Sequence, residues 1–329
     1  MTKIIAEIGV NHNGVLKRAI QLVKLAKYAG ADYVKFQIYK TDLLVTSYAK
    51  KSAYQKIDNK DQDRQYSMLK KYELSFKEHK KIYSYCKKIK INYCASAFDE
   101  NSLDFLINLN VKIVKIGSGE ITNKLLLERL KKYKGLILLS TGMSTLNEVA
   151  DAVKILIRNR NRFNLMYCCS SYPAPIEEID MNIMKTLKFY FKCPVGFSDH
   201  TIGIESAISS VLLEAPFIEK HFTDNKKLSG PDHKSSFDFN DMKKLVLEVK
   251  KFKSLFKSGN KIVTKSEKDN RKNSRKSIVA KKKIFKGEYF SKKKLTAKRP
   301  GDGISPMNIN KLLKLKAKKT FLPDEQIKI

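Results

Sequence analysis

A short apolar run that stops abruptly in polar and ionisable residues, followed by a helix-period stretch, recurs eight times along most of this chain. In the first copy, Ile4-Ile5-Ala6-Glu7-Ile8 closes in the turn Asn11-His12-Asn13-Gly14. Leu16, Ala19, Ile20, Val23 and Ala26 then fall on one face of a helix that Gly30 ends. Further strands are expected at 32–38, 91–98, 112–117, 135–140, 163–169, 194–198 and 216–221. Helices are expected at 76–90, 100–109, 122–133, 145–158, 181–190, 203–213 and 240–256. A doubly wound sheet would normally stop at about five to seven strands. Eight strand–helix units instead predict a (β/α)8 TIM barrel over residues 1–257.

Barrel chemistry sits where the strands end. Those positions hold Glu7, Asn11 and His12 on strand one, Lys35 and Gln37 on strand two, and Ser96 on strand three. Strand four carries Lys115, Ser118 and Glu120, strand five ends Ser140-Thr141-Gly142, and strand six ends Cys169-Ser170-Ser171-Tyr172. Strands seven and eight end Ser198-Asp199-His200 and Glu219-Lys220-His221. Two lysines with Ser96, Ser118 and Ser140 suit a phosphorylated anion, and Gly117-Ser118-Gly119 opens backbone N–H groups toward it. His200 and His221, from adjacent strands, can share one divalent ion with positions left for water or substrate. A single strand-end histidine is more often a structural, hydrogen-bonded residue; two on neighbouring strands favour a metal. Glu120 is the natural general acid/base. Lys35 lies inside the apolar run Tyr33-Val34-Lys35-Phe36, which a surface role does not explain. Cys168-Cys169 reads as small core filling rather than a nucleophile.

After the last helix, residues 258–274 are polar and charged and read as a linker. Residues 275–329 form a small module with a strand-like run Ser277-Ile278-Val279-Ala280, turns at Gly287 and Pro300-Gly301-Asp302-Gly303, and a short helix at 309–315. A module of that size is marginal alone and is expected to dock on the barrel or a partner chain. The net charge of +33 invites a nucleic-acid reading. It rests on 57 Lys against 9 Arg, however, and phosphate or base recognition favours Arg where geometry matters. The expectation is therefore a solvated basic surface with no nucleic-acid partner, and a field that draws in small anions. The absence of a long apolar run or signal peptide argues against a membrane role. Five cysteines with no C-x-x-C pair indicate reduced thiols and a cytoplasmic setting.

Taken jointly and in order, several segments resemble the N-acetylneuraminate (sialic acid) synthase family. They are Ala6–Gly14, Val34–Gln37, Lys115–Glu120, Ser140–Met143, Gly196–Thr201, Glu219–Thr223, Gly230–His233 and Lys298–Pro306. The module at 275–329 is similar to the antifreeze-like (SAF) domain of these enzymes. The resemblance implies condensation of phosphoenolpyruvate with an N-acylated amino sugar, releasing phosphate by C–O cleavage. It implies that Lys35, Ser96, Lys115, Ser118, Ser140, Ser170 and Ser198 bind phosphoenolpyruvate, and that Glu7, Gln37, Tyr172, Asp232 and Arg299 bind the sugar. His200 and His221 would hold Mn2+, with Mg2+ or Co2+ as substitutes, and Glu120 would move the proton as water adds. Arg299 would come from the other subunit of a domain-swapped homodimer. The sequence departs from the family in lacking the proline after Ser96 and in placing Ser170 where relatives carry Asn or Thr. N-acetylmannosamine is the first expectation for the sugar. The alternative is a 6-deoxy diacetamido hexose, leading to N,N'-diacetyllegionaminate or, less well matched, pseudaminate. Outside the class stands a non-catalytic polyanion-binding protein.

Overall fold

The computed structural model describes residues 2–51 and 64–329. The chain divides into two compact units, Met1–Phe256 and Lys257–Ile329. The first unit runs β1 (Lys3–Gly9), α1 (Leu16–Ala29), β2 (Tyr33–Ile38), α2 (Thr41–Leu44), α3 (Gln65–Tyr72), α4 (Phe76–Ile89), β3 (Asn92–Ala97), α5 (Glu100–Asn108) and β4 (Ile113–Ile116). It continues α6 (Lys124–Arg129), β5 (Leu136–Ser140), α7 (Leu146–Arg158), β6 (Arg162–Tyr167), α8 (Asn182–Phe191), β7 (Val195–Asp199), α9 (Glu205–Leu212), β8 (Phe217–His221) and α10 (Phe239–Leu255). All eight strands are parallel and close in chain order, with β8 pairing back onto β1. The expected (β/α)8 barrel is the observed one.

Two apolar layers build it. Residues pointing outward from the strands, such as Ile4, Val34, Phe36, Val114 and Ile116, pack under the helices. Ile5, Cys94, Ile113, Leu138, Met166 and Phe217 form a separate inner cluster that plugs the barrel. Alternation along each strand explains the split. One step further along β1, β2, β4 and β8 the inward positions become Glu7, Lys35, Lys115 and Glu219, so the plug ends where the polar floor begins. Local signals set the helix limits. Gly30 ends α1 with φ 92°, and a Cβ there would press on Val246 Cγ1 at 3.1 Å. Reciprocal capping boxes start α4 (Ser75/Glu78), α7 (Thr145/Glu148) and α10 (Asp238/Asp241).

The structure departs from the sequence reading in three places. Helices α2 and α3 stand between β2 and α4, where no element was expected. The helix expected over 122–133 is only Lys124–Arg129, followed by a 3-10 turn, Leu130–Lys132. Tyr133 Oη donates to the Val111 carbonyl at 2.9 Å and draws the chain inward at that point. The segment read as a linker contains a 3-10 turn at Lys265–Glu267 and helix α11 (Lys268–Ser274), opened by a Thr264/Glu267 capping box. A helix that is polar all round carries no hydrophobic stripe, so the pattern that reveals other helices is missing here. The second unit continues with the antiparallel pair β9 (Ser277–Ala280) and β10 (Leu295–Lys298) and the short helix α12 (Ile309–Leu312). Its own core gathers Ile278, Ala280, Ile284, Phe290, Leu295, Leu312, Phe321 and Ile327. All five cysteines are free thiols. Among the described residues, no helix is long and apolar enough to cross a membrane.

Candidate active site

One cavity of about 580 Å³ opens at the C-terminal ends of the strands. It is lined by Glu7, Lys35, Gln37, Ser96, Lys115, Ser118, Glu120, Ser140, Ser170, Tyr172, Ser198, His200 and His221, which the sequence reading singled out. Glu219 lines it too, as do Gln65 and Leu69 from α3. Asp232 lies beside this group, buried, with Oδ2 3.5 Å from His221 Nδ1. Arg299 belongs to the second unit, where its Nε donates to the Ser274 carbonyl at 3.1 Å.

The floor is a buried chain of four charges. Lys35 Nζ pairs with Glu7 Oε1 at 2.9 Å, donates to Ser96 Oγ at 2.9 Å, and lies 3.6 Å from Glu219 Oε1. Lys115 Nζ reaches both Glu219 oxygens, at 2.9 and 3.0 Å, and Ser198 Oγ donates to Glu219 Oε1 at 3.0 Å. Gln37 Nε2 donates to Glu7 Oε1 at 3.2 Å. Isolated charges would be costly at this depth; two ammoniums against two carboxylates make burial tolerable. Burial works against the charge on Glu219, but Lys115 and Lys35 overcome it and hold the carboxyl below its ordinary range. Burial works against the Lys35 ammonium as well, yet Glu219 and Glu7 raise its pKa. Glu7 goes the other way, because burial outweighs the pull of Lys35. The sequence places Glu219 at the end of its strand but assigns it no role. Nothing local marks it, since its function depends on lysines 104 and 184 residues away in the chain.

The wall beside the floor is rich in hydroxyls. Ser118 Oγ accepts from Gly142 N at 3.1 Å and lies 3.2 Å from Cys168 Sγ. A Cβ on Gly142 would run into Ser170 Oγ, Ser118 Oγ and Cys168 Sγ, so only glycine lets these groups converge. Gly117-Ser118-Gly119 leads into a 3-10 turn, Ser118–Glu120, rather than an α-helix. Glu120, half-buried, accepts from Asn123 Nδ2 at 2.7 Å, and burial raises its pKa above the usual carboxylate value.

The two imidazoles also line the cavity. His200 Nδ1 lies 2.6 Å from the Cys169 carbonyl, which can only accept. The proton therefore sits on Nδ1, and the lone pair is on Nε2, which lies 3.5 Å from Ser198 Oγ. The Tyr172 ring packs on His200 at 4.3 Å between centroids, and His200 and His221 are 5.5 Å apart. Burial lowers His200 to about 4 and His221 well below its ordinary value, so both rings are neutral near pH 7. Buried His221 Nδ1 has no hydrogen-bond partner. Neutral, converging imidazoles with an orphaned nitrogen suit a divalent ion. No group of three or more His, Cys, Asp or Glu among the described residues could hold a metal, so water or substrate would supply the other positions.

The model of the NeuB family matches residues 22–261, and that of the SAF domain matches 275–329. The chain belongs to the NeuB family. It is a transferase of the sialic acid synthase type, working in carbohydrate biosynthesis. This NeuB-family chain is 43% identical over 330 residues to an N,N'-diacetyllegionaminic acid synthase of Campylobacter jejuni, covering 99% of each chain. It is 42% identical to an N,N'-diacetyllegionaminic acid synthase of Legionella pneumophila, covering 94% of this chain and 88% of the relative. A solved structure of an N-acetylneuraminic acid synthetase from Leptospira borgpetersenii superposes with a TM-score of 0.71 at 30% identity, covering 82% and 90% of the two chains.

Proposed function

We propose that this NeuB-family transferase is an N,N'-diacetyllegionaminate synthase, joining phosphoenolpyruvate to a 6-deoxy diacetamido hexose with release of phosphate. The carrying observation is the 42–43% identity to two synthases of that name across nearly the whole chain, against 30% to the N-acetylneuraminic acid synthetase. The sequence reading put N-acetylmannosamine first; the relatives favour its alternative.

In this reading Lys35, Ser96, Lys115, Ser118, Ser140, Ser170 and Ser198 hold phosphoenolpyruvate, since the cavity supplies two ammoniums and a row of hydroxyls. Glu7, Gln37, Tyr172 and Asp232 face the sugar. Arg299, carried by the SAF unit, contacts the N-acyl group in a domain-swapped homodimer. His200 and His221 would hold a divalent ion, Mn2+ first, whose chemistry is to polarise the open-chain aldehyde. C3 of phosphoenolpyruvate forms the new bond to that aldehyde carbon as the C=O pair moves onto oxygen, which takes up one of the incoming water's protons to become a hydroxyl, and C2 is left cationic. Glu120 takes a proton from the water that adds to C2 and returns one as the C–O bond to phosphate breaks. Burial suits it to this, because a raised carboxyl pKa lies nearer the working pH. The enzyme acts in the cytoplasm in this reading. To test it, the purified protein is given phosphoenolpyruvate, Mn2+ and each sugar side by side, with phosphate release and product mass measured. Faster turnover of N-acetylmannosamine than of the diacetamido sugar would overturn the assignment.

A further inference from the structure

We propose that Glu219 is a built-in counter-charge that competes with phosphate for the cavity floor, so that the cradle binds its anion without retaining it. The proposal rests on the synthase reading, which names the phosphate-bearing ligand. Glu219 engages three of the donors assigned to that ligand. Lys115 Nζ is bonded to both of its oxygens, Ser198 Oγ donates to Oε1 at 3.0 Å, and Lys35 Nζ lies 3.6 Å from the same oxygen. The carboxylate is buried yet lines the cavity, directly above the apolar plug. An anion arriving at Lys115 and Ser198 must therefore share donors that a carboxylate already occupies, and must approach that carboxylate's charge.

A brace that merely aims the lysines is the competing account, and the two make opposite predictions. Lys35 keeps Glu7 and Ser96 as partners when Glu219 is neutral, so it stays in place. Lys115 loses a charged partner and gains an incoming anion in exchange. The change in attraction between a buried floor and a multiply charged anion exceeds the loss of one hydrogen bond. Neutralising Glu219 thus tightens anion binding. The reaction ends in free phosphate, and tighter retention slows its release.

The test is calorimetric titration of inorganic phosphate into the full-length protein, wild type against Glu219→Gln. At least tenfold tighter binding is expected. Under turnover the same variant shows a lower KM for phosphoenolpyruvate, stronger product inhibition by phosphate and a reduced kcat. Unchanged or weaker phosphate binding would overturn the proposal and leave Glu219 as a brace. Glu219→Asp keeps the charge but withdraws it from both lysines, and serves if the Gln variant does not fold. It is expected to tighten phosphate binding by about threefold, and weaker or unchanged binding refutes the idea. A wild type that consumes no phosphoenolpyruvate with either sugar would sink the functional reading instead, while the phosphate titration still tests the counter-charge.

Discussion

Lys220 points away from the cavity, and replacing it by Met isolates what a buried ion pair contributes to holding the site. Its ammonium lies 3.0 Å from Asp199 Oδ2, donates to the Thr201 carbonyl, and sits 4.4 Å from the Phe237 ring centre. Asp199 also accepts from Thr201 N and Oγ1, both at 2.8 Å, and from Ser206 Oγ at 2.7 Å. This carboxylate is the hub of the turn that carries His200. Both side chains are almost fully buried, at 3% and 0% exposure. Removing one member of such a pair leaves an uncompensated charge and costs about 3–5 kcal/mol. For a domain of this size that is a fall in Tm of roughly 10 °C. Neutralising both members also removes the desolvation penalty, so Asp199→Asn/Lys220→Met is expected within about 1 kcal/mol of wild type. Urea unfolding followed by far-UV circular dichroism measures the full cycle. A Lys220→Met cost below about 1 kcal/mol, or a double variant whose loss equals the sum of the singles, would refute the reasoning.

Two further outcomes concern catalysis and acid stability. Glu120→Gln keeps the hydrogen-bonding shape but cannot take a proton, so kcat falls by at least about 100-fold while KM for phosphoenolpyruvate stays within about threefold; a large rise in KM with kcat kept would contradict the proton-transfer role. Burial depresses His12 to about 4 and His79 to about 3, so the unfolded chain takes up these protons first. Their contribution is present above the unfolded pKa of 6.5 and is lost as pH falls from there toward the folded values. Between pH 7 and 5 each removes about 2 kcal/mol of stability. His79→Phe should flatten that decline by one such share in urea titrations, and an unchanged slope would count against it.

Much of the barrel and most of the cavity were legible because both are periodic. Apolar runs of strand length alternate with helix-period stretches, and the polar residue ending each run marks the mouth of the barrel. That rule found Lys35, Lys115 and the two histidines without any contact being known. It passed over α3, which contributes Gln65 and Leu69 to the cavity wall, because its apolar stripe of Met68, Leu69 and Tyr72 covers little more than one turn and falls outside the strand–helix alternation. It also read α11 as linker, since an all-polar helix lacks the stripe that would betray it.

The sequence by itself determined the architecture, the residue types at the mouth of the barrel and the family resemblance, since these depend on local order along the chain. Only the tertiary structure decided how the charges are shared. Closing β8 against β1 brings Glu219 to Lys115 and Lys35, while the β1–β2 pairing sets Lys35 beside Glu7 and the segment after β8 sets Asp232 beside His221. Burial opposes the charge on both carboxylates, and their neighbours set the outcome. Glu219 lies below its ordinary pKa and Glu7 above, although both are strand-end glutamates. Their difference comes from how many ammonium groups surround each one in a low-dielectric interior, a property of three-dimensional neighbours.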